Sequence, residues 1–341
     1  MMVTGKTPPM EVKDSLVGRI MVEKSHAYAV YRRLRKGREL VERHVRPTLA
    51  LAKHVAIMVV RNEADLLPDF LAHHRALGFD HFVVVDNNST DDTFEVLRRE
   101  HDVSYLWTNG SYKDSRFGND WANYVASRWC LGKWVLFADA DERLVYPHCD
   151  VADIDALTEH LERTGQISLV CLMIDMYSDK PVHQNVYPPG SAPLTVCNLY
   201  DRYGYFRGVD EPYGTTWVKG GVRCRAFFAD DPWAGPALNK TPLIKWGHRS
   251  AFIRSSHTAL PRRANIAGPI TGALLHFKFL ARIQDKVAVE AVSRQHTDEY
   301  QRYSGIGLAS FVGEESGRYD NWKSLSGDGL ISGEEWILNK P

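Results

Sequence analysis

Four short apolar runs, at residues 55–60, 81–85, 103–107 and 134–138, alternate with stretches of helical periodicity and constrain the fold more than any other feature of this chain. Runs this short, rich in Val, Ile, Leu, Phe and Trp, read as strands buried on both faces. Between the first two, residues 64–77 put Leu66, Leu67, Phe70, Leu71, His74 and Leu77 on one stripe, and Gly78 stops the helix. Residues 94–99 and 119–131 predict two more helices; 154–163 and 167–176 add a helix and a strand. Strand–helix repeats with short links imply a parallel sheet with right-handed crossovers. The predicted fold class is therefore α/β: a Rossmann-like, mostly parallel sheet flanked by helices.

After residue 177 the pattern changes. Pro and Gly become frequent and the apolar runs isolated, at 222–228, 243–246 and 274–279. This predicts an α+β C-terminal half that completes a cleft, with a late helix over 283–301. Residues 304–341, rich in Gly and Ser, read as an irregular C-terminal tail. Residues 1–50 read as an N-terminal helical extension. The main domain is then 51–303, divided into a first half at 51–176 and a second at 177–303.

The extension carries a basic run, Arg32-Arg33-Leu34-Arg35-Lys36. It suits a surface helix touching an anionic membrane, or a solvated helix packed on the main domain. Over the whole chain Lys+Arg and Asp+Glu are both 42, so no global field attracts nucleic acid. No apolar run approaches the roughly 20 residues of a membrane span. The N-terminus lacks the apolar core of a secretory signal. The five cysteines are scattered, without paired spacing, which predicts a reducing, cytoplasmic location, peripheral to the inner face of the membrane if the basic helix touches it.

The chemistry concentrates where strands end. The fourth run closes in Asp139-Ala140-Asp141-Glu142. On a regular strand Asp139 and Asp141 point the same way, and two adjacent carboxylates repel unless a cation or proton intervenes. A hard divalent cation, Mg2+ or Mn2+, resolves that repulsion; a solvated acidic loop is the plainer alternative. Arg61-Asn62-Glu63 follows the first strand and Asp86-Asn87-Asn88-Ser89 the second. Carboxyl ends of parallel strands are neighbours, so the three clusters line one pocket. Asp and Asn can read base edges, and Arg61 can pair with a phosphate. A surface Arg61–Glu63 ion pair, and helix capping by 86–92, are the structural alternatives. No glycine-rich phosphate loop and no nucleophile elbow occurs.

The ordered set 59–63, 84–93 and 135–142 resembles glycosyltransferase family 2 and related GT-A enzymes, over about residues 55–145. The Arg-Asn-Glu loop and the Asp-Ala-Asp-Glu ending resemble a bacterial subgroup. The usual Asp-Asp-Gly-Ser is here Asp86-Asn87-Asn88-Ser89. The resemblance implies a GT-A fold and a metal-dependent, inverting transfer of a sugar from a nucleotide-sugar donor, a UDP-sugar, to a glycan or lipid-linked acceptor. It implies that Asp86 with Asn87 meets the nucleobase, and that Asp139 faces the donor ribose or a metal-bound water. Asp141 would ligate Mn2+ or Mg2+. A late histidine would add a ligand, with His276 preferred over His257. Arg61, Glu63, Lys113 and Asn119 would lie around the donor.

Inverting transfer also needs a carboxylate base. The family's late Glu-Asp pair is absent; Asp210-Glu211, in reversed order, and Asp230-Asp231 are the candidates, so Asp210, Glu211 and Asp231 are expected in that role. Gly220-Gly221 would admit a sugar closely, and Trp217 and Trp233 would stack on it, Trp246 being placed in the core. The other functions compatible with the residues are a non-catalytic sugar-nucleotide or carbohydrate-binding protein and a nucleotidyltransferase.

Overall fold

The computed structural model describes residues 16–188, 190–210, 212–287, 302–303 and 306–337. Its centre is a nine-stranded sheet built from β1 (Val41–His44), β2 (His54–Val60), β3 (His81–Asp86), β4 (Val103–Trp107), β5 (Trp134–Phe137), β6 (Glu142–Val145), β7 (Ser168–Asp175), β11 (Asn239–Lys245) and β14 (Gly272–His276). The spatial order is β1-β4-β3-β2-β5-β11-β7-β14-β6. β2, β3, β4, β5, β7 and β14 run in one direction; β1, β6 and β11 run against them. The fold is the α/β class expected, a mostly parallel sheet flanked by helices.

The apolar runs form central strands because both faces are covered. On β2, Ala56, Met58 and Val60 enter the larger core, while Val55, Ile57 and Val59 enter a second one. β3 and β5 alternate in the same way. The larger core is roofed by α3 (Leu67–Ala76) and α6 (Ile154–Arg163), through Leu67, Phe70 and Leu71 and through Ile154, Leu157 and Leu161. The second lies under α5 (Asn119–Trp129), which contributes Trp121, Ala122, Val125 and Ala126. α1 (Leu16–Gly37) packs outside α5. The short helices α2 (Thr48–Leu51) and α4 (Thr93–Arg98) complete the first half.

The second half holds β8 (Leu199–Asp201), the hairpin β9 (Tyr205–Asp210) and β10 (Thr215–Gly220), the pair β12 (Ala251–Phe252) and β13 (Ala259–Leu260), and β15 (Ser316–Arg318), which pairs with β8. The structure departs from expectation in three places. Residues 222–228, read as a strand, form helix α7 (Gly221–Phe227). Val222 and the paired phenylalanines suggested a strand, but Arg223-Cys224-Arg225-Ala226 contains no β-branched residue and accepts a helix. Gly220 and Gly221, at φ 121° and 64°, reverse the chain ahead of it. A Cβ on Gly220 would lie 2.1 Å from the Gly204 carbonyl oxygen and one on Gly221 3.1 Å from the Tyr205 ring, so these glycines admit the chain's own backbone and side chain, not a sugar.

The expected irregular tail is also built into the molecule. Besides β15 it carries the helix Trp322–Gly327, and Trp322, Leu325, Ile331 and Trp336 are buried in the larger core. Finally, residues 142–145, read only as the end of an acidic motif, form strand β6 at the sheet edge. Of the late helix, residues 283–287 are helical and 288–301 lie outside the described residues.

Candidate functional site

Register brings the key groups together. His276, the last residue of β14, is the partner of Asp175 at the end of parallel β7 and of Glu142 at the start of antiparallel β6. Asp139 and Asp141 therefore sit in the turn between β5 and β6 rather than on a strand, which corrects the expectation that strand pleating aligns them. The Phe277 amide donates to the Asp141 carbonyl at 2.9 Å and fixes the turn against β14.

Four side chains form a chain of ion pairs, of which His276, Asp175 and Arg223 are buried and Asp141 partly so. His276 Nε2 lies 3.6 Å from Asp141 Oδ2, and His276 Nδ1 donates to Asp175 Oδ1 at 2.6 Å. Asp175 Oδ2 accepts from Arg223 Nε of α7 at 2.7 Å. Burial opposes charge on His276, but Asp141 and Asp175 overrule it and push the imidazole up to about 9. Burial likewise opposes charge on Asp141; His276, Lys286 and Lys278 prevail and hold this carboxyl well below the usual range. Asp175 falls to about 2, because Arg223 and His276 outweigh burial. Asp139 differs. Burial and the carboxylates of Glu142 and Asp141 raise it to about 7, with Lys240 opposing. Lys240, 4% exposed on β11, lies 3.0 Å from Glu142 Oε1, so Glu142 has an internal partner. Among the described residues no group of three or more His, Cys, Asp and Glu side chains is arranged to hold a metal. His257, the other candidate ligand, donates Nδ1 to the Asn239 carbonyl at 2.7 Å and is lowered to about 3 by burial and Lys240.

The first loop meets cations from far along the chain. Glu63 does not pair with Arg61, which is exposed; it forms ion pairs with Arg282 and Lys286, each at 2.7 Å. Arg282 and Lys286, with Lys278, Leu66, Phe277 and Ile283, line a small pocket against Asp141. Residue-by-residue reading missed this basic trio. Its signal was the spacing Lys278, Arg282, Lys286, one helical turn apart, just after His276.

The second loop is tied to the first, and its Asp91 also accepts from the Thr93 amide at the start of α4. Asp86 Oδ1 accepts from the Ser89 amide and hydroxyl, and Oδ2 from Tyr105, at 2.9, 2.6 and 2.7 Å. Asn87 donates to the Thr108 and Gly110 carbonyls. Asn62 and Asn88 both have φ near 60°, a conformation asparagine tolerates. Five hydrogen bonds join the loops: Asn62 N to Ser89 Oγ, Glu63 N to Thr93 Oγ1, Ala64 N to Asp91 Oδ2, and both Thr90 N and Thr90 Oγ1 to Asn62 Oδ1.

Other candidates scatter. Lys113 is exposed beyond β4. Asn119 is fully buried and donates to the Phe252 carbonyl at 2.7 Å, which holds α5 on β12. Asp210 pairs with Arg254 and accepts from the Trp217 indole at 3.4 Å; Arg254 stacks over Trp217 and Tyr213. Glu211 lies outside the described residues. Asp231 is exposed after α7, and the neighbouring Asp230 pairs with Arg302. Trp233 is exposed against Phe206, and Trp246 is in the second core.

Residues 55–185 match the sequence model of the family described as Glycosyl transferase family 2. The matched stretch contains Asp86, Asp139, Asp141 and Asp175 and stops short of His276 and the basic trio. A mannosyltransferase from Pyrobaculum calidifontis, solved with GDP-Man and Mn2+, is 18% identical over 49% of this chain and 48% of its own, with a TM-score of 0.25. A mycobacterial protein is 17% identical over 36% of this chain and 41% of its own, at 0.25. A 4-diphosphocytidyl-2C-methyl-D-erythritol synthase is 14% identical over 75% and 86%, at 0.26. The chain spans half or less of the first two, and likenesses at such scores carry no weight for function. No curated protein gives a sequence match.

Proposed function

We propose that this glycosyltransferase-like chain moves a sugar from a nucleotide-sugar donor, a UDP-sugar, to a hydroxyl of a glycan or lipid-linked acceptor, with inversion and with Mn2+ or Mg2+. The observation that carries the reading is the pairing of Asp141 with His276, backed by Asp175, beside the basic trio at one sheet edge. The donor set fits such a cation. Hard divalent cations take one or two carboxylates and complete their shell with water and substrate phosphate. His276 has its other nitrogen fixed by a carboxylate, as metal-bound imidazoles do. The raised Asp139 marks carboxylates crowded with too little positive charge around them.

Asp141 and His276, with Asp139, would hold the cation, which when bound neutralises the departing diphosphate. Lys278, Arg282 and Lys286 stand where phosphate oxygens would approach Asp141, with Glu63 and exposed Arg61 at the rim. Asp86 Oδ2 keeps a second lone pair, and Asn87 a carbonyl oxygen, for a nucleobase. The acceptor proton must pass to a carboxylate. Of Asp210, Glu211 and Asp231 we place the base at Asp210, beside the aromatic face of Trp217, which an acceptor would reach by displacing Arg254 from both.

The reading is tested by melting the protein with UDP-, GDP-, CDP- and dTDP-sugars, with and without Mn2+. A ligand at 100 times its Kd adds about 2.7 kcal/mol to the folded state. UDP-sugars with Mn2+ should raise Tm, Asp141→Ala should abolish the Mn2+-dependent part, and wild type should release UDP. No rise with any donor would end the proposal, and binding without release would reduce the protein to a non-catalytic binder.

A further inference from the structure

α1 presents two different faces. The inner one packs Ala29 and Val22 onto Tyr213, Ala251 and Leu260, and much of the basic run serves it: Arg32 pairs with Asp120, Arg33 donates to Ser127 Oγ and Lys36 pairs with Glu39. The charges that suggested a membrane helix are thus largely engaged within the protein. The outer face is apolar. Val17, Ile20, Met21, Tyr28, Tyr31 and Leu34 are between 42% and 67% exposed. At 3.6 residues per turn they fall in one sector of about 140°. The charged residues of α1 in that sector are Lys24 and Arg35, both exposed. The helix has one acid, Glu23, just outside the sector and paired with Arg249.

We infer that this outer sector of α1 seats in the plane of an anionic lipid surface. Aliphatic side chains with two tyrosines suit the boundary between acyl chains and headgroups, and Lys24 and Arg35 would meet lipid phosphates. A 22-residue helix gives about 33 Å of contact. No described helix is long and apolar enough to cross a membrane, so the contact lies along the surface. A second copy fits the face poorly. A two-fold contact would set the Lys24 and Arg35 charges of both copies on one seam, with no acid in the sector to pair them.

Flotation of the whole protein with vesicles of phosphatidylcholine, alone or mixed with phosphatidylglycerol, tests this. Binding should require phosphatidylglycerol and fall with added salt. Each basic residue at a membrane surface contributes a factor of about five, so Lys24→Ser with Arg35→Ser should weaken partitioning about 25-fold. Tyr28→Ser with Tyr31→Ser should also release the protein. Leu51→Ser, at a leucine 85% exposed on α2, should have no effect. All these residues are exposed, so unchanged melting confirms that the variants fold. Equal binding to both vesicles, no binding to either, or binding untouched by these substitutions would overturn the inference. A dimer in size exclusion that the tyrosine substitutions break would assign the face to a second copy and overturn it too. None of these outcomes depends on sugar transfer.

Discussion

At the residue scale, Asp175 explains why one histidine and not another can serve the acidic turn. His257 is tied to a backbone carbonyl and lowered to about 3, whereas His276 is aimed by a carboxylate at its far nitrogen. Replacing such an orienting group typically weakens metal affinity by 10–100-fold. Asp175→Asn should therefore lower Mn2+ affinity by about that factor, read by the Mn2+ electron paramagnetic resonance signal in the presence of UDP. The variant also removes the Asp175 charge from buried Arg223, so the titration belongs well below its melting temperature. Unchanged affinity would reduce Asp175 to a packing role. Asp139, Asp141 and His276 were visible in the sequence as residue types at the ends of apolar runs. The partners of Glu63 were not, because Arg282 and Lys286 lie more than 200 positions away and only the folded sheet edge unites them.

At the element scale, the strands were legible because each is covered on both faces and so reads as an unbroken apolar run. β6 was hidden because it begins in Glu142 and Arg143, whose charges are met by Lys240 and Asp69. α7 was misread because short apolar segments carry no decisive period. The seat of α5 shows how tightly elements are matched. Gly118, at φ 78° before its first turn, would place a Cβ 2.9 Å from the Val59 side chain of β2. Gly118→Ala should cost about 2–4 kcal/mol, the sum of left-handed strain and overpacking. In a Val59→Ala background the overpacking part should vanish and the strain part persist, which a double-mutant cycle by urea denaturation would separate. Equal losses in both backgrounds would show that the clash is relieved by other movement.

At the scale of the whole molecule, two histidines of α3 and one at the start of β3 make stability depend on pH. His73 and His81 are lowered to about 4 and His74 well below its usual value, in each case first by burial. His73 faces Asp69 and Arg143, His74 faces His73 and Arg143, and His81 faces Asp102, Asp80, Lys133 and Arg46. The folded state keeps these rings neutral while the unfolded chain protonates them near pH 6.5. At these three rings the unfolded state binds more protons, so their contribution to stability falls as pH drops below about 6.5, continuing to about 4, while Asp139, raised to about 7, opposes them with the slope of a single group. Each ring contributes a slope of up to about 1.4 kcal/mol per pH unit. The urea midpoint should decline from pH 7 to pH 5, and His81→Asn should flatten that decline. A midpoint independent of pH over this range would show that the rings are not held neutral.

The wall supplied by residues 316–337 has a consequence for how the molecule comes into being. The Trp336 indole donates to the Pro147 carbonyl and the Trp322 indole to Asp150, so two rings made late in synthesis close a space framed by strands made early. Chains emerge from the ribosome amino end first. Until residue 336 has emerged, the early strands wait with one side of their hydrocarbon interior open to water. A shortened version ending at 303 would keep that opening permanently, and its stickiness in the cell would say nothing about chemistry at the acidic turn.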